Sequence, residues 1–282
     1  MIDTPAIPLI DVNVHLFAWP FRRLPDDDPM RLKRRLAQQG VQQVWAGSFE
    51  AVLHRDVDGV NRRLAAMCRR LGPAWRPFGV VHPLLPDWEE DLRRCAVRYR
   101  MPGIRLYPNY HQYGLEGAPF SRLLEGARRR GMIVQIAVSL EDERTQHPLV
   151  RVPPVDVAPL CDLPADATPP IVLLNACRVV PAAVRNRLVR NPRIHFDLAT
   201  LEGAAGLERW LRTMPVQQTL FGSHAPFFYH ESATAKLNES AIGGALRKQI
   251  VYDNAAGLMA RRVERVHLDP TRPGTERPGG GK

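Results

Sequence analysis

The chain is poor in lysine and has no long apolar run. Only four of its 39 basic residues are lysines, at positions 33, 236, 248 and 282. No segment approaches the roughly 18 to 20 uninterrupted apolar residues that a membrane helix needs, so the sequence predicts no membrane span. The first residues lack a basic stretch followed by an apolar segment, which favours a cytoplasmic location over secretion.

Paired cysteines and common catalytic motifs are also missing. The four cysteines lie far apart and form no C-x-x-C pair, so they predict buried free thiols rather than disulfides or a zinc knuckle. The sequence contains no G-x-S-x-G, G-x-x-x-x-G-K-[ST] or G-x-G-x-x-G motif. These absences disfavour a serine nucleophile and a glycine-rich nucleotide-binding loop.

Basic residues outnumber acidic ones, 39 to 29, for a formal net charge of +10. The arginines occur in short groups on predicted helices, such as 34–35, 62–63, 69–70 and 128–130, without interleaved aromatics. We interpret them as solvated helix faces, and we predict no nucleic-acid partner. RNA binding is the alternative, and it would require one contiguous basic face.

Apolar runs of strand length alternate with helix-period segments at intervals of about 30 residues. The eight predicted strands are 7–14, 41–47, 76–81, 103–107, 132–138, 170–174, 193–198 and 217–221. The predicted helices are 30–39, 57–71, 87–99, 119–130, 181–190, 203–211, 232–247 and 254–263. Eight such βα units predict an α/β protein with one (β/α)8 TIM-barrel domain over residues 1–267.

Two segments depart from this repeat. The fifth βα connection, 141–169, is rich in proline and has little helical periodicity, so we expect it to help shape a pocket at the carboxyl ends of the strands. The tail at 268–282 is rich in proline and glycine and is predicted to be disordered.

Several segments at strand ends resemble a known family. The first strand reads LIDVNVH at 9–15, close to a D-x-H-x-H pattern, and TLFGSHAPF at 219–227 is similar to an fGSDxPf segment. PLLPDWEEDL at 83–92, GIRLYP at 103–108 and VYDNAAGL at 251–258 also have counterparts in the same order. Together they resemble the amidohydrolase superfamily, specifically its amidohydrolase-2 group of metal-dependent hydrolases and decarboxylases.

This resemblance implies a zinc-like ion held by two histidines of strand one, one histidine each of strands five and six, and an aspartate of strand eight. His15 retains one of these positions, whereas Asn13, Ala137, Asn175 and His224 occupy the others. Amide oxygens are poor zinc donors beside imidazole, and alanine provides none. The inherited ligand set therefore keeps one recognised ligand.

Two interpretations of the site stay open. In the first, His15 and His224 hold a divalent ion, zinc foremost, together with His147 or a carboxylate of the fifth connection such as Glu141. In the second no metal is bound, and His15, His224 and Glu141 act directly as catalytic acids and bases. Without a catalytic role, Glu141 or its neighbour Asp142 would pair with Arg144 to order the loop.

Other polar residues are candidates for substrate binding. Arg105 and Tyr107 share a face of strand four, and the guanidinium fork suits a substrate carboxylate. Asn13 and Asn175 are further predicted contacts. For Arg105, a structural ion pair with Glu141 is the alternative.

These features predict an amidohydrolase-like enzyme that hydrolyses a C–N or C–O bond of, or decarboxylates, a small anionic organic substrate at the barrel mouth. The alternative is a catalytically inactive or metal-free barrel that acts as a binding or scaffolding protein. A pocket in which the histidines, Glu141 and Arg105 converge within hydrogen-bond reach would favour the enzyme. A mouth plugged by the proline-rich fifth connection, with an exposed apolar patch elsewhere, would favour the binding protein. A homodimer is the expected assembly.

Overall fold

A computed structural model describes residues 7–267, so the tail predicted to be disordered, 268–282, lies outside the described residues. Eight parallel strands neighbour one another in chain order. Their bounds are β1 Leu9–Leu16, β2 Val41–Ser48, β3 Trp75–Gly79, β4 Gly103–Leu106, β5 Ile133–Ala137, β6 Ile171–Leu174, β7 Ile194–Asp197 and β8 Thr219–Leu220. The segment through β8 returns to β1, where Val12 N donates to Phe221 O (3.0 Å) and His15 N donates to Ala225 O (2.8 Å). The predicted TIM barrel is confirmed.

Helices alternate with the strands around the barrel. They are α1 Pro29–Gln38, α2 Val57–Leu71, α3 Trp88–Arg93, α4 Ala118–Arg129, α5 Ala182–Leu188, α6 Gly206–Leu211, α7 His230–Glu239, α8 Gly244–Lys248 and α9 Asn254–His267. A π-helical turn, Arg94–Arg98, continues α3, and the proline-rich fifth connection contains a 3₁₀ turn, Ala158–Asp162. No helix in the described part of the chain has the length and hydropathy of a membrane-spanning segment.

The prediction of one continuous helix over 232–247 is wrong, because the segment forms two helices, α7 and α8. The backbone is extended at Ser240 (ψ 142°) and at Gly243 (ψ 156°). Serine competes for backbone hydrogen bonds and glycine has low helix propensity, so both disfavour a helix interior.

Apolar side chains fill the interior of the barrel below the carboxyl ends of the strands. Trp45 and Phe78 stack with their ring centroids 5.0 Å apart, and Leu258 of α9 belongs to the same buried cluster. The four cysteines are free thiols, as predicted, and three of them are buried. The polar residues of interest lie above this apolar layer, at the carboxyl ends of the strands.

Candidate functional site

Arg105 of β4 lies inside the barrel with no exposed surface. Its Nε donates to Gln135 Oε1 (2.8 Å), and its Nη1 donates to Val14 O (2.8 Å). Its Nη2 donates to Trp45 O (3.0 Å) and to Val12 O (3.2 Å). The guanidinium therefore ties β1, β2 and β5 to β4.

An irregularity of β1 explains why carbonyl groups are available to Arg105. The pairing register of β1 on β2 shifts between Asp11 and Val14, which interrupts the regular ladder there. The remaining Nη1 hydrogen faces His15 Nε2 at 3.2 Å, so all five donors that a guanidinium has are occupied. A Cβ at Gly47 would lie 2.8 Å from Arg105 Cδ, so glycine leaves room for this side chain. No donor is left over for the predicted grip on a substrate carboxylate.

The imidazole of His15 is buried, and it stacks on Phe49 with centroids 4.5 Å apart. Arginine only donates, so Nε2 of His15 accepts from Arg105 and Nδ1 carries the proton. Burial, and then the charge of Arg105, hold the pKa of His15 well below its usual 6.5. His15 is therefore neutral, and its Nδ1–H has no hydrogen-bond partner among the described residues.

Asn13, Asn175 and Asp197 form a hydrogen-bonded cluster across the barrel. Asn13 Nδ2 donates to Asn175 Oδ1 (2.8 Å) and to Asp197 Oδ2 (2.6 Å), and the Asn175 backbone N–H donates to Asp197 Oδ1 (2.8 Å). A Cβ at Gly222 would lie 2.5 Å from Asp197 Oδ2, so the glycine makes space for the cluster. Burial raises the pKa of Asp197 to about 6. Asn13 Oδ1 is buried and has no partner in the described part of the chain.

His224 completes this cluster. Its Nε2 faces Leu140 O at 2.7 Å, and because a carbonyl only accepts, Nε2 carries the proton. Its Nδ1 then accepts from Asn175 Nδ2 at 3.2 Å. Burial lowers the pKa of His224 to about 4, so the imidazole is neutral. Both Asn175 (φ 58°) and His224 (φ 59°) adopt the left-handed backbone conformation, which marks a locally strained segment.

The other candidate residues occupy different surroundings. Tyr107 is buried, its hydroxyl donates to Ser48 O (3.3 Å), and burial raises its pKa to about 12. Glu141 is buried and pairs with Arg22 Nε (3.1 Å) rather than with Arg105, so the ion pair considered for Arg105 does not form.

The fifth connection is ordered by contacts within itself and with the segment after β6. Asp142 pairs with Arg144 and Arg178, at 2.6 Å each, as the loop-ordering interpretation expects for that aspartate. His147 is exposed, and its Nδ1 accepts from the backbone N–H of Leu149 (3.2 Å). The structure therefore brings Asn13, His15, Arg105, Asn175 and His224 together but leaves His147 outside.

The donor set at the inherited ligand positions does not fit a divalent cation. Imidazole binds a metal through a free nitrogen lone pair, but Nε2 of His15 accepts from Arg105 and Nδ1 of His224 accepts from Asn175. No group of three or more histidine, cysteine or acidic side chains suited to a metal occurs within residues 7–261. The structure places His15 beside His224 but leaves His147 exposed in the fifth connection, so it does not assemble the predicted three-histidine metal site.

Aromatic side chains, whose packing the sequence did not predict, close the mouth above this cluster. Trp19 follows β1, Phe49 follows β2 and Phe227 follows β8, with their ring centroids 5.0–5.3 Å apart. Trp19 is only 2% exposed, and Phe227 stacks on His224 at 4.9 Å. The aromatic spacing of Phe17, Trp19 and Phe21 after strand one was the available signal. These rings cover the cluster at the mouth.

Asp11 is a further buried carboxylate, and the sequence did not single it out. Its Oδ1 accepts from the backbone N–H groups of Asn13 (3.1 Å) and Ser223 (3.0 Å), and its Oδ2 accepts from Ser223 Oγ (2.5 Å). Burial nevertheless raises the pKa of Asp11 to about 7. This residue joins β1 to the segment after β8.

The raised pKa of Asp11 predicts a pH-dependent stability. An unfolded aspartate has a pKa of about 3.9, so the folded state binds the proton more tightly, and ionisation of Asp11 costs stability as pH rises from about 4 to about 7. Asp11→Asn removes this cost and keeps an acceptor for both N–H groups. We expect urea unfolding to show the variant gaining stability relative to wild type between about pH 5 and pH 8. The exposed Asp162→Asn serves as the control, and a constant difference for Asp11→Asn would contradict the prediction.

Comparisons with known proteins agree with this fold. The sequence model described as amidohydrolase matches residues 10–259, so the chain belongs to the amidohydrolase family. The search of curated proteins finds no match.

Solved structures with similar folds include three decarboxylases. A 2,6-dihydroxybenzoate decarboxylase from Rhizobium has a TM-score of 0.67 at 16% identity, with 90% of this chain and 99% of that chain covered. A 5-carboxyvanillate decarboxylase from Sphingomonas paucimobilis has a TM-score of 0.66 at 12% identity, with coverage of 90% and 99%. A dihydroxybenzoic acid decarboxylase from Polaromonas, with bound manganese and the inhibitor 2-nitroresorcinol, has a TM-score of 0.68 at 14% identity, with coverage of 93% and 100%.

Proposed function

We propose that this chain is a member of the amidohydrolase family that does not hold the catalytic metal and works by binding rather than by metal-dependent turnover. The observation that carries the proposal is the bonding of the two mouth imidazoles. The lone pairs that would bind a metal accept hydrogen bonds from Arg105 and Asn175 instead. The aromatic cover of Trp19, Phe49 and Phe227 supports the same conclusion, because it separates this cluster from solvent.

Activity assays on the acids named for similar folds test this proposal. The purified protein would be mixed with 2,6-dihydroxybenzoate and 5-carboxyvanillate, each with and without added Mn²⁺ or Zn²⁺, and loss of the acid would be followed spectroscopically. We expect no turnover above that of the His15→Ala variant under any condition. Metal-dependent turnover that His15→Ala abolishes would contradict the proposal.

Metal-free turnover of a small carboxylic acid is the second candidate. The unpartnered Asn13 Oδ1 and His15 Nδ1–H favour it, because they offer one acceptor and one donor two residues apart on β1. In this case His15, His224 and Glu141 would be catalytic, and Asn13 and Asn175 would contact the substrate. The predicted contacts of Arg105 and Tyr107 would not form, because their donors are already bonded within the protein. Turnover that resists a chelator and disappears in Asn13→Ala would support this candidate over the first.

The loops around the mouth also provide a surface for a second copy of this chain. Seven of the large exposed hydrophobic residues follow β1, β2, β3, β5 or β8, namely Phe21, Leu53, Leu84, Leu149, Val150, Phe228 and Tyr229. Exposed apolar surface of this kind is typical of protein contact sites. The same loops carry Arg55, Arg151 and Glu143, which form no ion pair within the described residues. A two-fold axis could bring the arginines of one copy to the glutamate of the other.

A homodimer through this face is testable by sedimentation. We expect wild type to sediment as a dimer, and Leu149→Asp with Phe228→Asp to shift it to monomer. Val97→Asp is the matched control, because Val97 is 61% exposed but lies on the π-helical turn away from the mouth. A wild-type protein that sediments as a monomer would contradict this assembly. So would a Val97→Asp variant that shifts to monomer as fully as the Leu149→Asp, Phe228→Asp variant.

A further inference from the structure

A cavity of about 570 Å³ opens at the amino-terminal end of the barrel, opposite the mouth. The end of α2, the start of β3, the turn before β4 and helix α9 form its walls. Its volume lies within the range of about 300 to 1,000 Å³ that is typical of small-molecule sites. Trp75 and Met259 contribute apolar surface to this cavity.

Four arginines line the cavity: Arg69, Arg76, Arg98 and Arg100. No acidic residue is among the described residues that line it. Within the part of the chain that the structure describes, none of these arginines forms an ion pair with a carboxylate. The cavity therefore concentrates positive charge that this protein does not neutralise.

A second cavity provides a comparison within the same molecule. It measures about 460 Å³ and is also lined by arginines, but it includes Glu89 and Glu125. Arg122 pairs there with Glu89, and Arg129 pairs with Glu125 at 2.7 Å. Arg122 and Arg129 in the 460 Å³ cavity thus have carboxylate partners, whereas the arginines of the 570 Å³ cavity have none among the described residues.

Helix dipoles account for only part of the charge. Arg69 lies in the last turn of α2 and Arg98 in the last turn of the π-helical segment, where a cation is favourable. Arg76 is on β3, away from any helix end, whereas Arg100 directly follows the C-cap residue of the π-helical segment, Tyr99. The positive φ of Arg100, 53°, belongs to this helix end, where Tyr99 N donates to Arg94 O (2.9 Å) and Met101 N donates to Cys95 O (2.9 Å).

We propose that this cavity binds a small phosphate-bearing anion with an apolar part, of the charge and size of a nucleoside polyphosphate. Guanidinium groups bind phosphate oxygens in pairs, and several of them favour a ligand with more than one negative charge. Because the sequence has no glycine-rich phosphate loop, side chains rather than backbone N–H groups hold the phosphates. The apolar surface of Trp75 and Met259 accommodates the rest of the ligand. The site does not depend on the function proposed for the mouth.

Calorimetric titration of the full chain with ATP and with inorganic triphosphate tests this proposal. We expect both to bind, with ATP tighter because only ATP contacts the apolar surface. The variant Arg76→Gln with Arg100→Gln should weaken ATP binding at least about tenfold, since each charged hydrogen bond lost is worth that order of change. Arg129→Gln, in the cavity with paired arginines, is the matched control and should leave the affinity within about twofold of wild type.

Several results would overturn the proposal. These are the absence of binding at millimolar ATP and triphosphate, equal weakening by Arg129→Gln, or equal affinity for ATP and triphosphate. A single-stranded RNA that binds more tightly than ATP and displaces it would assign the charge to a polymer instead. Circular dichroism of each variant confirms that the chain is folded before its affinity is interpreted.

Discussion

Replacing Arg105 with methionine is expected to lower the free energy of unfolding by about 3 kcal/mol or more, because at least two buried acceptors would lose their donor at about 1–3 kcal/mol each. Val14 O and Trp45 O bond to the guanidinium inside the barrel. Methionine preserves much of the volume of the side chain but donates no hydrogen bond. Urea unfolding of wild type and variant measures the difference.

Arg122→Met is the matched control for this experiment. The Arg122 side chain is 64% exposed and pairs with an exposed Glu89, so its loss should change stability by less than about 1 kcal/mol. A fully stable Arg105→Met variant would contradict the structural role. It would return Arg105 to the substrate-binding role that the sequence predicted.

Rebuilding the inherited ligand set is expected to create a metal site that, under the proposed function, the wild type lacks. The changes are Asn13→His, Ala137→His, Asn175→His and His224→Asp, which together with His15 restore the ligand pattern that the family resemblance implies. We expect this variant to bind Mn²⁺ or Zn²⁺ with a dissociation constant below about 1 μM, against above about 1 mM for wild type, a difference of about 1,000-fold.

The design of this experiment separates failure to fold from failure to bind. Thermal unfolding followed by circular dichroism shows whether the rebuilt chain is folded, and Ala137→His alone reports the cost of adding an imidazole to a buried position. Adding His15→Ala to the folded variant should abolish metal binding. A folded variant that binds no better than wild type would contradict the assignment of these ligand positions.

The barrel was predictable because its signals are local and repeated. Glycine at positions such as 72, where φ is 111°, ends a helix and returns the chain to the next strand, and apolar runs define each strand. The break between α7 and α8 was missed because apolar residues continue through Ser240 and Gly243 with helical spacing. Periodicity alone does not include the backbone preferences of single residues.

The candidate site was only partly predictable because its chemistry depends on pairings across the barrel. The sequence placed Asn13, Arg105, Asn175 and His224 at strand ends, and the structure brings them together. It did not reveal that β1 shifts its register near Asp11, which supplies backbone acceptors to Arg105. The partners that occupy every donor of Arg105 come from β1, β2 and β5, so the spacing of residues in the sequence does not show that the guanidinium is fully bonded.

Metal analysis of the untagged wild-type protein tests the central claim most directly. Elemental analysis after purification would be followed by calorimetric titration of the metal-depleted protein with Zn²⁺, Mn²⁺ and Fe²⁺. We expect far less than stoichiometric metal and no saturable binding at the mouth. Near-stoichiometric metal that disappears in both His15→Ala and His224→Ala would contradict it.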